Sequence, residues 1–223
     1  MPESTTRPYR SSLRQEQARQ TRERILDAAA AVFAARGYAG ASLAEIATTA
    51  GVSVESVKVH GPKRALLLGA FERAFAGEAG EESLADRPEV AAIAALDDPD
   101  RMLAELVPFI ADANARTGGL WAAFTSAARD DAEVDAAMSG LLARRHADYG
   151  RMVELLVARG AEGAGALDEA GRRELADALS FVMSPEGHQQ LVGESGWTFE
   201  RYSTWLLATV RLVVREAGAA SRG

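Results

Sequence analysis

The chain of 223 residues contains no cysteine, so neither disulfide bonds nor thiolate chemistry is available to it. Its three histidines, His60, His146 and His188, lie far apart, and neither an HExxH motif nor a glycine-rich phosphate loop is present. No apolar run approaches the roughly 20 residues that span a bilayer, and no signal-peptide core follows the basic N-terminus. We therefore expect a soluble, cytoplasmic protein that is not an enzyme and that uses no metal and no cofactor.

Charge is distributed unevenly along the chain. Residues 1–65 hold ten basic and six acidic residues, a net charge of +4, whereas the remainder holds 15 basic and 26 acidic residues, a net charge of -11. A basic head on an acidic body is typical of a nucleic-acid-binding protein in which one end contacts phosphate. A basic tail beside a solvated helix face is the alternative reading of the same charges.

Apolar residues recur at spacings of three and four, and no stretch alternates with a period of two, so the sequence predicts an all-α protein. We expect the first helix to begin near Ser12, with Gln15 completing a capping box, and to end at Gly37. Further helices are predicted over residues 43–50 and 54–60, from residue 62 through an apolar stripe that ends at Phe75, and over residues 98–116, 120–129, 132–159, 168–183 and 198–216, with a shorter one after residue 184. A segment around residues 88–96 leads into the helix at 98–116. Gly118-Gly119 is expected to break a helix, and residues 160–166 to form a flexible connection.

The segment from Ser42 to His60 has the pattern of two short helices joined by a glycine turn. Ser42 and Glu45 fit a capping box, Gly51 permits the turn, and Ser53 is suited to cap the second helix. This arrangement predicts a helix-turn-helix, which lays its second helix in the major groove of DNA.

On a wheel of 100° per residue that points Val57 inward, Glu55 and Val59 face outward, flanked by Ser56 and Lys58. Ser56, Lys58 and His60 are suited to phosphate contacts, and Lys63 is placed to reach a backbone phosphate. Val59 is suited to packing on a thymine methyl group, and Glu55 either reads a cytosine amino group or favours the helix N-terminus. The predicted DNA-binding residues are Ser42, Val54, Glu55, Ser56, Lys58, Val59, His60 and Lys63.

These residues carry a resemblance to a known family. The run ILDAAAAVFAARGYAGASLAEIATTAGVSVESVKVHGPKRALL, residues 25–67, resembles the N-terminal domain of TetR-family transcriptional regulators, with its IA--AGVS turn and its leucine pair in the fourth helix. The stretch SPEGHQQLVGESGWTFERYSTWL, residues 184–206, is similar to C-terminal domains of such regulators. Two departures stand out: Lys58 replaces the tyrosine usual in the family, and the corner that follows it is about one residue shorter.

The resemblance implies an N-terminal helix-turn-helix DNA-binding domain followed by a helical ligand-binding and dimerisation domain. It divides the chain into a basic arm with the start of helix one (1–20), the DNA-binding domain (21–66) and the ligand-binding and dimerisation domain (67–223). The expected function is that of a homodimeric repressor, released from a palindromic operator on double-stranded DNA by a small apolar effector. The resemblance also implies that effector binding and DNA binding are linked. The effector favours a conformation in which the two DNA-binding heads of the dimer are wrongly spaced for DNA, and it thereby lowers DNA affinity.

The C-terminal two thirds supply candidates for two further surfaces. Bulky side chains at helical spacing suggest a largely apolar pocket as well as core packing, and the candidate ligand-binding residues are Met102, Phe109, Trp121, Phe124, Tyr149, Met152 and Phe181. His146 is a possible polar anchor, although an exposed position is favoured for it. The resemblance places the dimer interface on the last two long helices, where its candidates are Leu175, Leu179, Val182, Trp205, Leu206, Val210 and Val213.

Two other classes of protein compete with this interpretation. An active site would explain the carboxylates at 97–100 and 130–131, but both groups stand at predicted helix starts, where acids favour the helix dipole. The main alternative is an all-α partner-binding or scaffold protein whose DNA-binding head has degenerated. Such a protein has no need of Lys58, Lys63 or the basic arm, and its binding to duplex DNA would lack a steep salt dependence.

Overall fold

The computed structural model describes residues 7–76 and 87–220, and within these ranges it contains helices and no strand. The all-α prediction is therefore confirmed. In chain order the helices are α1 (Arg7–Gly40), α2 (Leu43–Ala50), α3 (Val54–Val59), α4 (Lys63–Ala76), α5 (Pro88–Ala94), α6 (Pro99–Ala128), α7 (Ala132–Ala158), α8 (Glu169–Val182), α9 (Pro185–His188), the π-helical segment Gln189–Glu194, and α10 (Phe199–Ala220). In the described part of the chain, no helix is both long and apolar enough to cross a membrane.

The first four helices surround one apolar core. Ser42 and Ser53 cap α2 and α3 through their side-chain oxygens, and Gly51 takes a left-handed conformation between them with φ 67°. That conformation strains any other residue type, so the glycine sets the angle at which the two helices meet. The fully buried side chains of this core include Ile25, Phe33, Ile46, Val57, Leu66 and Leu67.

Two details at the start of the head differ from the sequence prediction. Helix α1 begins at Arg7, so Ser12 lies inside the helix and does not cap it. Ser42 caps α2 as predicted, but Glu45 does not complete the capping box, because its carboxylate accepts from Arg36 Nε at 3.3 Å. The second half of the box is thus replaced by a bond that joins α1 to α2.

Helix α6 is continuous where the sequence predicted a break. Gly118 and Gly119 are helical, and a Cβ atom at Gly119 would lie 3.0 Å from the Cβ of Ala34 on α1. Gly119 therefore lets α1 and α6 approach closely, whereas Gly118 faces Gln189 and His188. A packing requirement across helices is not visible in the local sequence, which explains why the predicted break is wrong.

A second core lies among α6, α7, α8 and α10. Its largest fully buried side chains are Met102, Leu156, Leu179, Met183, Tyr202 and Leu206. The two cores meet along α6, because Leu120, Trp121 and Phe124 pack with the head whereas Met102 and Ile110 pack with the body. The predicted domain boundary at residues 66 and 67 falls within α4, and α1 and α4 both pack against α6.

Residues 160–166 form a packed turn, and the prediction of a flexible connection is wrong. Ala161 and Ala164 are buried, and Gly163 lies directly against the backbone carbonyls of Val214 and Arg215 on α10. A Cβ atom at Gly163 would approach the carbonyl oxygen of Arg215 to 2.2 Å, and the residue has φ 87°. Small residues are therefore needed in this turn because it packs closely against the backbone of α10, whereas the sequence suggested a flexible connection.

We predict that Gly163→Ala lowers the free energy of unfolding by about 3 kcal/mol, because the methyl group meets backbone atoms in a conformation that L-residues avoid. The matched control is Gly150→Ala in α7, where no atom lies within 4 Å of the added carbon. That substitution should raise stability by up to about 1 kcal/mol through helix propensity. Urea unfolding monitored by circular dichroism measures both, and equal effects of the two changes would contradict the packed turn.

Candidate DNA-binding surface and effector cavity

Helix α3 presents three side chains to solvent and one to the core. Val57 is fully buried, whereas Val59 is 83% exposed and the side chains of Glu55 and Lys58 are 79% and 60% exposed. The wheel drawn from the sequence places these four side chains as the structure does. A two-turn helix anchored by one valine thus holds a hydrocarbon, an anion and a cation on one accessible face.

The helix caps fix the polar residues beside this face. Ser53 Oγ accepts from the amide of Ser56 at 3.1 Å, and the two hydroxyl oxygens lie 2.9 Å apart. Ser42 is exposed, with its oxygen accepting from the amide of Glu45. Val54 is half-buried against the head core, so its side chain helps to position α3.

Lys63 stands at the start of α4 and packs over an aromatic ring. Its Nζ lies 4.6 Å from the ring centroid of Tyr38, which itself stacks with Phe33. Partial burial lowers the pKa of Lys63 from its usual value, and the ring face compensates by attracting the ammonium group. Sequence analysis missed Tyr38, because its contact with Lys63 joins positions 25 residues apart.

His60 closes α3 and is half-buried at the corner before Gly61. Burial, together with the nearby positive charge of Arg22, lowers the pKa of His60 below 6.5. The imidazole is consequently neutral at pH 7 and offers one N–H donor and no charge. Lys58 and Lys63 are therefore better partners for phosphate than His60.

Glu55 and Lys58 face each other on the exposed surface, with 3.7 Å between the carboxylate and the ammonium group. An exposed pair of this kind contributes little to stability. Both groups are free to exchange this contact for others. The pair also lowers the net repulsion that Glu55 alone would exert on a polyanion.

A cavity of about 140 Å³ lies beneath the head, with walls formed by α4, α5, α6, α7 and the junction of α8 with α9. Four of the seven predicted ligand-binding residues line it: Met102, Trp121, Tyr149 and Met152. Phe71 and Phe75 of α4 also line it, and Phe71 packs against Trp121 with 5.5 Å between ring centroids.

The other three predicted residues lie elsewhere. Phe124 belongs to the head core, Phe109 packs against the body core, and Phe181 is 80% exposed on α8. The assignment of Phe181 to the cavity is wrong, because the inward face of α8 carries Leu175 and Leu179. His146 is exposed and pairs with Asp177 at 3.3 Å, away from the cavity.

Sequence analysis missed the polar part of the cavity wall. Glu72 of α4 pairs with Arg144 of α7 at 2.9 Å, and Arg151 pairs with Asp148 along α7. The signal was present as charged residues that recur at spacings of three and four on α7. Their direction toward a cavity depends on tertiary packing, which the local pattern does not contain.

Helix α4 is attached to the body at its C-terminal end. Arg116 of α6 donates from Nε to the carbonyl of Ala74 at 3.0 Å and from its terminal nitrogen to the carbonyl of Phe75 at 3.1 Å. These carbonyls belong to the last turn of α4, where backbone acceptors lack helical partners. A positive charge also favours the helix C-terminus. Arg116 thus caps α4 from the neighbouring helix.

Most of the predicted dimer residues lie inside the protomer. Leu175, Leu179, Leu206 and Val210 are buried in the body core, so their assignment to an interface is wrong. Both α8 and α10 use apolar residues to pack within the protomer. The sequence pattern does not distinguish apolar residues that pack inside one chain from those that form a dimer interface. Val182 and Val213 are half-buried, and the exposed apolar side chains on α8 and α10 are Phe181, Trp205, Phe199 and Leu212.

Residues 25–67 match the family model for bacterial regulatory proteins of the tetR family. This segment of the chain is similar to the N-terminal domain of the tetR family. This match covers the C-terminal half of α1, then α2, α3, the corner with Gly61 and the start of α4, the elements that form and position the exposed face of α3. The resemblance read from the sequence is therefore confirmed.

Solved structures extend the likeness from this segment to the whole fold of the chain. A protein of Pseudomonas aeruginosa PAO1 described as a transcriptional regulator has a TM-score of 0.66 at 19% identity, covering 90% of this chain and 93% of that one. The regulator FadR from Bacillus subtilis, solved with stearoyl-CoA, has a TM-score of 0.62 at 18% identity, covering 84% and 96%. A TetR-family member from Streptomyces coelicolor A3 has a TM-score of 0.56 at 24% identity, covering 84% and 96%. A search of curated protein sequences finds no match.

We predict that Arg116→Gln lowers the free energy of unfolding by about 1 kcal/mol, because two charge-assisted hydrogen bonds to the end of α4 are weakened. The control is Arg101→Gln, which removes an exposed pair with Glu105 on the same helix and should change stability by less than about 0.5 kcal/mol. Urea unfolding provides the comparison. If Arg101→Gln costs as much as Arg116→Gln, the cap on α4 has no special role.

Proposed function

We propose that this protein is a TetR-family regulator, a dimeric repressor that binds a palindromic DNA operator through α3 and leaves it when a small apolar effector binds. The observation that carries the proposal is the capped helix α3, held by buried Val57 and presenting Glu55, Lys58 and Val59 to solvent. These side chains suit phosphate contact, base reading and contact with a thymine methyl group. The fold shared with transcriptional regulators supports the same function.

Phosphate contacts in this proposal come from Lys58, from Lys63 on its aromatic support, and from the hydroxyl groups of Ser42 and Ser56. Such contacts set the register of α3 in the groove. Glu55 and Val59 are the base-reading candidates, since both project furthest from the core. Val54 and His60 position the helix ends.

One copy of α3 contacts too few base pairs for high specificity, so the proposal requires two copies related by a two-fold axis. Their recognition helices would meet half-sites about 34 to 36 Å apart, one turn of the duplex. We place the interface on α8 and α10, at the exposed apolar side chains Phe181, Trp205 and Leu212. In this proposal the three exposed residues face the second copy. They take the place of four candidates that are buried in the protomer: Leu175, Leu179, Leu206 and Val210.

Effector binding would reach the DNA-binding surface through α4. Phe71, Glu72 and Phe75 of α4 line the cavity, while Lys63 stands at the other end of the same helix. An effector that moves α4 therefore changes the position of Lys63 and of the corner that holds α3. The coupling free energy for such linkage is typically about 1 to 3 kcal/mol.

The volume of the cavity limits the effector. An engineered cavity of about 150 Å³ in another protein holds one benzene molecule, so 140 Å³ suits a ligand of similar size. FadR was solved with stearoyl-CoA, a far longer molecule. For this chain we propose a compact, mainly apolar effector, because Phe71, Phe75, Trp121 and Tyr149 are in its walls.

The direct test is selection of random duplex DNA on the purified protein, followed by sequencing of the bound pool. The proposal predicts enrichment of an inverted repeat with half-sites one helical turn apart. A folded dimer that enriches no sequence would contradict operator binding and would favour a partner-binding role for the same fold.

We predict that Lys58→Ala weakens binding to all duplex sequences and reduces the slope of log affinity against log salt by about one, because one phosphate contact is lost. Glu55→Ala should instead change base preference at one position in each half-site. Binding titrations at several salt concentrations, against the selected duplex and its single-base variants, separate the two effects. Equal changes on every sequence from both substitutions would contradict the division of roles.

We predict that Phe181→Asp shifts the protein from dimer to monomer, because it places a carboxylate in the centre of an apolar contact. Phe181 is exposed in the protomer, so the fold should survive the change. The control is Val59→Asp, which puts the same charge on an exposed apolar residue of α3 and should leave the dimer intact. Sedimentation equilibrium measures both, and a wild-type protein that is monomeric at micromolar concentration would contradict the interface.

A further inference from the structure

The cavity wall carries an excess of positive charge. Four arginines line it, Arg87, Arg144, Arg145 and Arg151, against two carboxylates, Glu72 and Asp148. A purely apolar ligand that displaces water from such a wall offers the cations no hydrogen bond or charge to replace that water. The charge of the wall is therefore a feature that an apolar effector alone does not explain.

The two carboxylates are already occupied by protein cations. Glu72 pairs with Arg144 across the boundary between α4 and α7, and Asp148 pairs with Arg151 on α7. Arg145 differs from both arginines, because it forms no ion pair with a described residue. It donates to the carbonyl of Ser180 in the last turn of α8 and lies 5.9 Å from the ring centroid of Tyr149.

These contacts leave part of the Arg145 guanidinium group available. The group has five N–H donors in a planar fork that suits a carboxylate, and the carbonyl of Ser180 and the hydroxyl oxygen of Tyr149 do not use all of them. Arg145 is half-buried, so its charge is less screened than that of a surface arginine. An incoming anion would thus find an accessible cation without a competing carboxylate.

Tyr149 and Trp121 add uncharged donors to the same wall. Burial raises the pKa of Tyr149 to about 12, so its hydroxyl group keeps its proton at pH 7. Trp121 Nε1 is buried and has no hydrogen-bond partner among the described residues. An indole nitrogen donates and does not accept, so its only possible partner is an acceptor.

We propose that the effector is a compact aromatic acid whose carboxylate binds Arg145 and whose ring lies among Phe71, Phe75 and Trp121. This inference rests on the proposed effector cavity and names the chemical class that the cavity selects. The cavity volume of about 140 Å³ restricts the apolar part of the effector to about one ring. The aromatic walls favour a ring over an alkyl chain of equal volume, since stacked and edge contacts add to burial.

The test compares benzoate with benzamide, its neutral isostere, by isothermal titration calorimetry at pH 7 on the full chain without DNA. We expect benzoate to bind about tenfold more tightly than benzamide, because a hydrogen bond to a charged partner is worth more than a neutral one. Equal binding of the two, tighter binding of benzamide, or no binding of either would overturn the inference.

Arg145→Gln should bring the ratio of the two affinities to about one while leaving benzamide binding unchanged, which also shows that the cavity is folded. Arg145→Lys should retain part of the preference, because the charge remains. The control is Arg101→Gln, which does not line the cavity and pairs with Glu105 on the surface of α6, and which should leave the ratio at its wild-type value. A preference that survives Arg145→Gln would overturn the assignment of Arg145.

Selection of duplex DNA on the same protein keeps this inference separate from the proposed function. Enrichment of an operator without a preference for benzoate would reject the aromatic acid and leave the DNA-binding proposal standing. A preference for benzoate without enrichment would support the ligand site and reject the regulator.

Discussion

The side chain of Phe71 joins the two halves of this protein. It belongs to α4, is buried in the head core, and packs against Trp121 at 5.5 Å and Phe124 at 6.0 Å on α6. The same ring lines the cavity. Because close-packed interiors transmit displacement and do not absorb it, a molecule that enters the cavity would act on α4, the helix that supports the proposed DNA-binding surface.

Polar contacts also connect α4 to the helices of the body. Arg116 holds the C-terminal carbonyls of α4, Glu72 is bound to Arg144 on α7, and Arg64 pairs with Glu133 at 2.7 Å. Glu72 is the most enclosed of these, with its side chain 10% exposed. A carboxylate so enclosed is costly to leave without a partner, so its bond to Arg144 stabilises one placement of α4. In the proposed mechanism, a ligand that competes for the neighbouring arginines would favour another placement of α4.

Local signals in the sequence were sufficient to predict the turn between α2 and α3 and the orientation of the α3 side chains. Serine caps, the glycine turn and one inward valine define α2 and α3 within 20 residues, and the structure places the side chains of α3 as the helical wheel does. The predictions failed where the reason for a residue lies on another helix. Gly119 and Gly163 look like breaks but permit close approach, and Phe181 looks like a core residue but faces solvent. The polar cavity wall was missed for the same reason, since Glu72 and Arg144 are 72 positions apart.

The claim that α4 couples the cavity to the DNA-binding surface is tested most directly by a double-mutant cycle on DNA affinity with Glu72→Gln and Arg144→Gln. The account predicts that each single change alters affinity for the selected operator severalfold and that the double change does no more than either one, because both break the same contact. Glu154 and Arg172, a pair at 2.7 Å between α7 and α8, provide the matched control and should leave operator affinity unchanged. Unaltered affinity in Glu72→Gln and Arg144→Gln, or effects no larger than those of the control pair, would contradict the coupling.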